Sequence, residues 1–255
     1  MQVIFVSYGN KRYRYSKKRI KQEALSCTWF DKIEIFSPKM LSLDFRHQFS
    51  SILSEKRGGG YWIWKLDVLE QAFSAGNDGD IIVYCDAGCH INESGKKRFK
   101  EYIDILQGSE HGMLSFQMGH IEQTYTTEEC FQALEIQANS WIRTTGQICA
   151  TILVAKRCDH TALILSEFHK LLAANPLIIT DYYNHAQDSF FIDHRHDQSI
   201  LSVLRKKYGS ALIKDETYFR NFGCPESLNS PFWATRIRDS STKRLNAESQ
   251  RSSNQ

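Results

Sequence analysis

A single carboxylate stands where an apolar run in the middle of the sequence ends. Residues 81–84 are continuously apolar, and Asp86 follows them with Ala87 and Gly88 behind it. A carboxylate at the end of a buried strand can bind a divalent cation or accept hydrogen bonds from a ribose, and a glycine beside it lets a ligand approach the backbone closely. An aspartate here can equally cap a turn or the next helix. The residue types alone therefore leave a binding role and a structural role for Asp86 open.

A second group of ionisable residues lies between an apolar run and an amphipathic segment further along the chain. Residues 193–197 are all ionisable, and Gln198 follows them. Asp197 can serve as the N-cap of a helix, but five consecutive ionisable residues exceed what a cap requires. The dipole of that helix would lower the pKa of Asp197 and keep it ionised, ready to accept a proton. The neighbouring His194 and His196 suit zinc less well, because no further His or Cys follows at ligand spacing.

Basic and aromatic side chains flank a glycine triplet at residues 58–60. Arg57 precedes the triplet, and Tyr61 and Lys65 follow it. A planar guanidinium and an ammonium both match the oxygens of a phosphate, and an aromatic ring can stack on a base or a sugar. Lys65 fits a solvated helix position equally well, so its role stays open at this level.

Two arginines near the C-terminal end show alternate spacing. Arg236 and Arg238 would face the same side of an extended segment, from which they could clamp a diphosphate. The alternative is that they are exposed basic side chains ahead of a polar tail, which fits Arg238 slightly better.

The elements that must position these residues follow from hydrophobic spacing. Short apolar runs predict strands, and apolar residues at helical spacing predict helices. The predicted strands cover residues 2–6, 31–36, 81–84, 113–117 and 147–154, and the predicted helices cover residues 62–75, 93–106, 128–141, 160–173 and 198–208. This alternation indicates an α/β domain with a mostly parallel central sheet, whose ligands bind beyond the carboxyl ends of the strands. Ser7 and Tyr8, in a turn expected after the first strand, would lie at such an end, as would Asp86.

Three blocks of the sequence resemble small bacterial and viral glycosyltransferases of the GT-A type. They are GYWIWK with GD and YCDAGC (residues 60–89), HRHDQS (residues 194–199), and DETYF with PFWATRIR (residues 215–238). The resemblance extends over nearly the whole chain as far as Arg238. The resemblance is weakest between Thr124 and Asn184, and we expect this segment to determine which acceptor is used. It implies one Rossmann-type, GT-A-like domain over residues 1–238.

The resemblance also implies a reaction and assigns residues to it. Asp86 corresponds to the first position of the DXD motif, which holds a divalent cation, Mn²⁺ or Mg²⁺, against the donor diphosphate, whereas Gly88 replaces the acid at the third position. His196, Asp197 and Gln198 would face the acceptor and the anomeric carbon. Asp197 would be the base of an inverting reaction, or Asp197 or Gln198 would lie beside the sugar in a retaining one. The residues expected to bind the nucleotide sugar are Ser7, Tyr8, Arg57, Tyr61, Lys65, Asp86, Ala87, Gly88, His194 and Arg236.

The partners that the resemblance implies are a nucleotide-sugar donor and a glycan or lipid-linked acceptor, as in surface or capsular polysaccharide synthesis. Two alternatives belong to other classes of protein. One is a catalytically silent relative that only binds the nucleotide sugar, which the missing second acid favours. The other is a metal-dependent phosphotransferase that uses Asp86.

Bulk composition narrows the class of protein further. Of the 255 residues 32 are basic and 29 acidic, and a net charge of +3 is too small to indicate a nucleic-acid partner. No apolar run approaches the length of a membrane span or a signal peptide, so we expect a cytoplasmic protein, at most peripheral to a membrane. The seven cysteines form no CxxC pair, which argues against a zinc knuckle or a redox motif, and we expect a reducing compartment. Residues 239–255 are polar and serine-rich and are predicted to form a disordered tail.

Overall fold

A seven-stranded sheet is the central element of the computed structural model, which describes residues 1–184 and 186–238. The tail predicted over residues 239–255 lies outside the described residues. Two further short strands, β4 and β9 in the following list, form a separate antiparallel pair. The strands of the described residues are β1 (Val3–Tyr8), β2 (Lys32–Phe36), β3 (Ile81–Cys85), β4 (His90–Ile91), β5 (Met113–Ile121), β6 (Gly146–Ile148), β7 (Ile152–Lys156), β8 (Ala211–Lys214) and β9 (Phe232–Trp233).

Most strands of the large sheet run in one direction. β1 is parallel to both β2 and β3, and β8 is parallel to β5. β7 lies antiparallel between β3 and β5, which gives β5 the direction of β3, and β6 is antiparallel to β5. Five of the seven strands (β1, β2, β3, β5 and β8) therefore share one direction, and β6 and β7 run against it. The predicted α/β class with a mostly parallel sheet is confirmed.

Helices cover the sheet and its connections. None of those in the described residues combines the length and hydrophobicity that crossing a bilayer requires. Short 3₁₀ turns lie at Lys11–Tyr13, Pro38–Met40, Glu93–Gly95 and Pro176–Ile179. The α-helical segments are α1 (Arg14–Cys27), α2 (Leu43–Gln48), α3 (Ser50–Leu53), α4 (Gly58–Tyr61), α5 (Trp64–Ser74), α6 (Lys96–Gly108), α7 (Glu122–Tyr125), α8 (Glu128–Ala133), α9 (Trp141–Thr144), α10 (Asp159–Ala174), α11 (Asp197–Lys207) and α12 (Pro225–Leu228).

Both faces of the sheet are buried under apolar layers. In β1, Ile4 and Val6 belong to one layer, and Val3 and Phe5 belong to the opposite one. Helices α5, α10 and α11 supply the first layer, and α1 and α6 supply the second. β3 repeats the alternation, which explains why its sequence is apolar throughout. All seven cysteines are free thiols.

The chain leaves the sheet at residues 149–151, so the single strand predicted over residues 147–154 is wrong in its middle. β6 pairs with the later part of β5, and β7 pairs with its beginning. At the interruption, main-chain oxygens are no longer used in hydrogen bonds between strands. The Ala150 oxygen accepts from Nζ of Lys65 at 2.9 Å, and the Thr151 oxygen accepts from the NH of Asp86 at 2.9 Å. The irregularity thus turns backbone acceptors towards two of the predicted site residues.

The helix predicted over residues 128–141 is wrong beyond its first turns, because α8 and α9 are separated by a loop. Glu135 has a φ of 58°, which does not continue a right-handed helix. The loop wraps around Arg143, whose guanidinium donates to the main-chain oxygens of Ile136 at 2.9 Å and Gln137 at 3.0 Å. Tertiary hydrogen bonds therefore replace those of the predicted helix.

A left-handed turn precedes α5 and coincides with the segment labelled α4. The glycines at residues 58–60 have φ values of 58°, 63° and 99°, and Tyr61 and Trp62 follow with 50° and 60°. This region is sterically costly for residues with a Cβ, and glycine removes the cost at the first three positions. The helix predicted over residues 62–75 therefore starts two residues later than expected.

We expect Gly60→Ala to destabilise the fold by about 1–3 kcal/mol, because the new Cβ would overpack the turn. A Cβ at this position lies 2.8 Å from Cα of Leu53 and 3.0 Å from the oxygen of Ile52, and both are backbone atoms. Urea denaturation measures the change. Gly108→Ala in α6 is the matched control, since no described atom outside its own helix lies within 4 Å of its Cβ. Equal stability of the two variants would contradict the predicted overpacking.

Candidate active site

A buried lysine lies at the centre of the predicted site residues. Lys65, the second residue of α5, is 2% exposed, and its ammonium lies 4.9 Å from the centre of the Tyr84 ring. Nζ donates to Oδ2 of Asp197 and to the oxygen of Ala150, and it lies 3.5 Å from Oδ1 of Asp86. This burial excludes the solvated role left open for Lys65. One ammonium joins α5, the end of β3, the break after β6 and the start of α11.

The charges in this cluster depend on one another. Burial alone would lower the pKa of Lys65, but the carboxylates of Asp197 and Asp86 outweigh burial and raise that pKa, so the ammonium stays charged at neutral pH. Burial raises the pKa of Asp197, against the opposing effect of Lys65. The lowering expected from the helix dipole is therefore wrong. A dipole contributes about 0.3–2 kcal/mol, and desolvation of a fully buried carboxylate exceeds it.

Asp86 is the carboxylate of the cluster that is open to solvent. Its NH is held by the oxygen of Thr151, and its Oδ1 accepts from the hydroxyl of Tyr84 at 2.5 Å. Its side chain is 30% exposed, against 7% for Asp197. A ligand approaching the carboxyl end of β3 would therefore meet Asp86 first.

The start of α11 fixes the other predicted catalytic residues. Asp197 is the first residue of the helix, and the N-cap is His196, which has a φ of 56°. The N-cap role considered for Asp197 is therefore wrong. Gln198 is held at both ends of its amide: Nε2 donates to Oε1 of Gln147 at 2.9 Å, and Oε1 accepts from the NH of Ala150 at 3.5 Å. The break in the strand thus orients Gln198 as well as Lys65.

A second polar group lies beside the first. Arg57 pairs with Asp181 at 2.9 Å and with Asp193 at 3.4 Å. Oδ1 of Asp181 lies 3.8 Å from Nε2 of His196, and the ring of His196 packs on Tyr61 with centroids 5.2 Å apart. Sequence analysis missed Asp181, because it lies in an irregular segment with no spacing that relates it to Arg57.

Two histidines of this group are buried and neutral. Burial lowers the pKa of His194 to about 3 and also lowers the pKa of His196. Nδ1 of His194 accepts from the NH of Thr127 at 3.4 Å, and Nδ1 of His196 lies 2.8 Å from the oxygen of Ile179. The histidines therefore connect the start of α11 to two neighbouring segments.

The end of β1 is buried further than expected. Ser7 and Tyr8 belong to the strand, so the turn predicted from Ser7 is wrong. Ser7 is fully buried, and the ring of Tyr8 stacks on Trp64 with centroids 3.8 Å apart. A Cβ built on Gly59 would lie 3.4 Å from Nδ2 of Asn10, so the left-handed turn faces the end of β1. Asn10, which follows the end of β1, therefore lies beside the glycine triplet.

The C-terminal segment crosses the loop after β3. The oxygen of Gly88 accepts from the NH of Ile237 and from the hydroxyl of Thr235, both at 2.9 Å. A Cβ on Gly88 would lie 3.2 Å from Cα of Arg236. The glycine therefore accommodates the chain's own backbone, whereas we had expected it to accommodate a ligand.

The two C-terminal arginines are not aligned. Arg236 and Arg238 are both exposed, but a φ of 56° at Arg236 breaks the extended geometry that would have placed them on one side. Ile237 between them is buried, and the hydroxyl of Ser16 donates to its oxygen at 2.9 Å. The predicted joint clamp is therefore wrong, and Arg236 alone stays beside Gly88.

The predicted site residues fall into three neighbouring groups. The groups are the ionic cluster (Lys65, Asp86, Asp197 and Gln198), the histidine group (Arg57, Tyr61, His194 and His196) and the strand-end group (Ser7, Tyr8, Ala87, Gly88 and Arg236). Within the strand-end group, Ala87 is buried, and its main-chain oxygen accepts a hydrogen bond from Arg19 at 2.9 Å.

A divalent cation would find one partly exposed protein ligand here. Within residues 1–184 and 186–238, no group of three or more His, Cys, Asp or Glu is placed to hold a metal ion. Asp86 offers a carboxylate, but Nζ of Lys65 lies 3.5 Å from its Oδ1 and repels a cation. Mg²⁺ and Mn²⁺ require several oxygen ligands, so the others would have to come from donor phosphates and water.

Comparison with solved structures identifies proteins with a similar fold. Mouse xyloside xylosyltransferase 1 is similar with a TM-score of 0.50 at 9% identity, over 91% of this chain and 93% of that chain. A glycosyltransferase involved in glycosylation of the major capsid of PBCV-1 has a TM-score of 0.48 at 11% identity, over 96% and 100% of the two chains. The galactosyltransferase LgtC has a TM-score of 0.48 at 10% identity, over 96% and 93%. At these identities the similarity shows the fold alone, and the expected GT-A-like fold is confirmed. No protein-family model and no curated protein sequence matches the chain.

The low pKa of His194 makes the fold sensitive to acid. An unfolded histidine takes up a proton near pH 6.5, whereas folded His194 does so only near pH 3. Between these values the unfolded state binds more protons, so this residue lowers the free energy of unfolding by about 1.4 kcal/mol for each pH unit of acidification. We expect His194→Gln to reduce that slope between about pH 6 and pH 4, measured by urea denaturation at each pH.

The slope separates this effect from lost packing, which would lower stability equally at every pH. His47→Gln is the control, because His47 is exposed in α2, and it should keep the slope of the unaltered protein. Equal slopes for His194→Gln and the unaltered protein would show that His194 is not a buried neutral histidine.

Proposed function

We propose that the protein is a glycosyltransferase that moves a sugar from a nucleotide-sugar donor to an acceptor hydroxyl. The observation that carries the proposal is the burial of Lys65 between Asp197 and Asp86, next to the carboxyl ends of β1 and β3. Ligands of open α/β sheets bind beyond such strand ends. In a fold shared with glycosyltransferases, the ionic cluster supplies a fixed cation, an exposed carboxylate and a buried carboxylate.

The donor nucleotide is proposed to bind over the ends of β1 and β3. The partly exposed carboxylate of Asp86 suits ribose hydroxyls, and Lys65 behind it offsets the negative charge that would otherwise repel a diphosphate. Arg57 and Arg236 are exposed at either side, and a guanidinium matches phosphate oxygens. Binding would require Arg57 to exchange an aspartate partner for a phosphate.

The proposed reaction breaks the bond between the anomeric carbon and the diphosphate while the acceptor oxygen bonds to that carbon. The diphosphate leaves with the bonding electrons, and the fixed ammonium of Lys65 stabilises the added charge. We assign the acceptor proton to Oδ1 of Asp197, because Lys65 occupies Oδ2. The raised pKa of Asp197 makes it a stronger base than a surface aspartate. In a retaining reaction Gln198 would lie beside the sugar, and His196 precedes both residues as the N-cap of α11.

The proposal extends to the setting of the reaction. We propose a glycan or lipid-linked acceptor, as in surface polysaccharide synthesis, and a cytoplasmic enzyme that works at or near a membrane surface. A catalytically silent binder of nucleotide sugars remains the competing function, and Gly88 at the position of an acid is the feature that favours it.

Hydrolysis of nucleotide sugars distinguishes an enzyme from a silent binder. We expect the unaltered protein to hydrolyse at least one donor from a panel of UDP-, GDP-, CMP- and dTDP-sugars. Asp86→Asn should lower that turnover by roughly tenfold or more, because a hydrogen bond to a charged group contributes about 1.5–3 kcal/mol. Its partly solvated position should leave folding largely intact.

Asp104→Asn on the exposed side of α6 is the matched control and should retain full turnover. Normal turnover in Asp86→Asn would make Asp86 a turn residue only, and donor binding without hydrolysis would favour the silent binder. Asp197→Asn is a less clean test, because it leaves the buried Lys65 without its closest partner and would cost about 3–5 kcal/mol of stability.

A divalent cation at Asp86 is proposed to bind only together with the donor. Mn²⁺ or Mg²⁺ alone should leave the Tm unchanged, because one carboxylate beside an ammonium is a weak site. With the nucleoside diphosphate of the hydrolysed donor present, the same ion should raise the Tm beyond the nucleotide alone. A higher Tm with the metal alone would contradict the statement that the site offers a single protein ligand. If the metal gives no further increase in Tm when the nucleotide is present, the proposed cation is wrong, and Lys65 and the arginines neutralise the diphosphate charge.

A further inference from the structure

A cavity lies next to the histidine group. It has a volume of about 340 Å³ and lies between the 3₁₀ turn at Pro176–Ile179 and the start of α8. We infer that this cavity binds the acceptor, and that the acceptor is an uncharged saccharide. The inference rests on the proposed glycosyltransferase function and names the chemical class of its acceptor.

Aromatic and apolar surface at the cavity is open to solvent. Tyr182 is 61% exposed and Leu177 is 48% exposed. Tyr183 packs edge-on against Phe191 with centroids 5.2 Å apart, which holds this wall in place. A tyrosine ring offers a rigid flat surface with a polar tip, which suits the apolar C–H face and the hydroxyl rim of a sugar ring.

The cavity also offers hydrogen-bond donors. Oδ1 of Asn175 accepts from the NH of Leu177 at 3.1 Å, and Oδ1 of Asn184 accepts from the NH of Ala186 at 2.9 Å. Because both amide oxygens are engaged, the two NH₂ groups are left to donate to a ligand. Neutral donors of this kind match sugar hydroxyl oxygens.

The charge of the cavity disfavours anionic ligands. Glu129 is the charged side chain among its described lining residues, and no described lysine or arginine lines it. Its carboxylate holds the wall together: Oε1 accepts from the NH of Asn184 and Oε2 accepts from Nε2 of Gln187, both at 2.7 Å. A phosphate or a uronic acid would meet this carboxylate, and the guanidinium of Arg57 beside the cavity is already paired with Asp181 and Asp193, so an uncharged saccharide fits better.

Short contacts connect the cavity to the reacting groups. Thr180 of its wall is followed by Asp181, which lies 3.8 Å from His196, the residue before Asp197. On the opposite wall the NH of Thr127 donates to His194. The cavity therefore lies beside the segment that leads into the proposed base, Asp197.

The test is a binding screen of the full chain. Neutral oligosaccharides of glucose, galactose, mannose and N-acetylhexosamines are compared with anionic ones that carry uronic or sialic acids. We expect the bound saccharides to be neutral and Tyr182→Ala to weaken their Kd by roughly tenfold, as for a tyrosine at the centre of an interface. Tyr15→Ala, at another exposed tyrosine in α1, should change the Kd by less than about twofold.

The other outcomes of the screen contradict either the acceptor site or the glycosyltransferase function. Selective binding of anionic saccharides, binding of no saccharide, or a Kd for Tyr182→Ala within about twofold of the unaltered protein overturns the acceptor site. Nucleotide-sugar hydrolysis, measured on the same preparation, separates the two proposals. Hydrolysis without a bound neutral saccharide overturns the acceptor site alone, whereas the absence of both hydrolysis and donor binding overturns the glycosyltransferase function.

Discussion

The burial of Lys65 is the constraint on which the rest of the site depends. An isolated buried ammonium costs several kcal/mol, so it persists only where opposite charges and hydrogen bonds compensate. Lys65 has Asp197, the oxygen of Ala150 and, at longer range, Asp86. These partners come from three distant parts of the sequence, and all must be in place together. One side chain thus fixes the relative positions of α5, the end of β3, the broken strand and α11.

Two irregularities of the fold make this arrangement possible. A continuous strand across residues 149–151 would use the oxygen of Ala150 within the sheet, whereas the break gives it to Lys65. The left-handed turn at residues 58–60 ends close to Asn10 and lets α5 start beside the end of β1, where Trp64 stacks on Tyr8. Both features depart from regular geometry next to the candidate site, as strained or irregular backbone commonly does at functional sites.

The sequence predicts the strands and helices of the scaffold better than the contacts between side chains within the site. Alternation of short apolar runs with helical periodicity is local, so the α/β class and the position of β3 could be predicted, and Asp86 could be placed at a strand end. The contact between Lys65 and Asp197 joins residues 132 positions apart, and no local pattern reports it. The direction of the pKa shift at Asp197 was missed for the same reason, because it depends on tertiary burial. Asp181 was missed because its segment has neither helical nor strand spacing.

The backbone packing at Gly88 and the burial of Lys65 together determine the net charge of the site. Backbone of the C-terminal segment lies against Gly88, so an acidic side chain there would have to displace Arg236 and its neighbours. The site therefore keeps one exposed acid, Asp86. With Asp197 it carries two formal negative charges, and Lys65 already compensates one of them from inside the protein. A site with two acids would need an external cation before a diphosphate could approach, whereas in the proposed donor site the internal cation Lys65 would meet part of that requirement. Under the proposed function, a glycine in place of a second acid would remove a metal ligand and, at the same time, reduce the charge that a metal would have to neutralise.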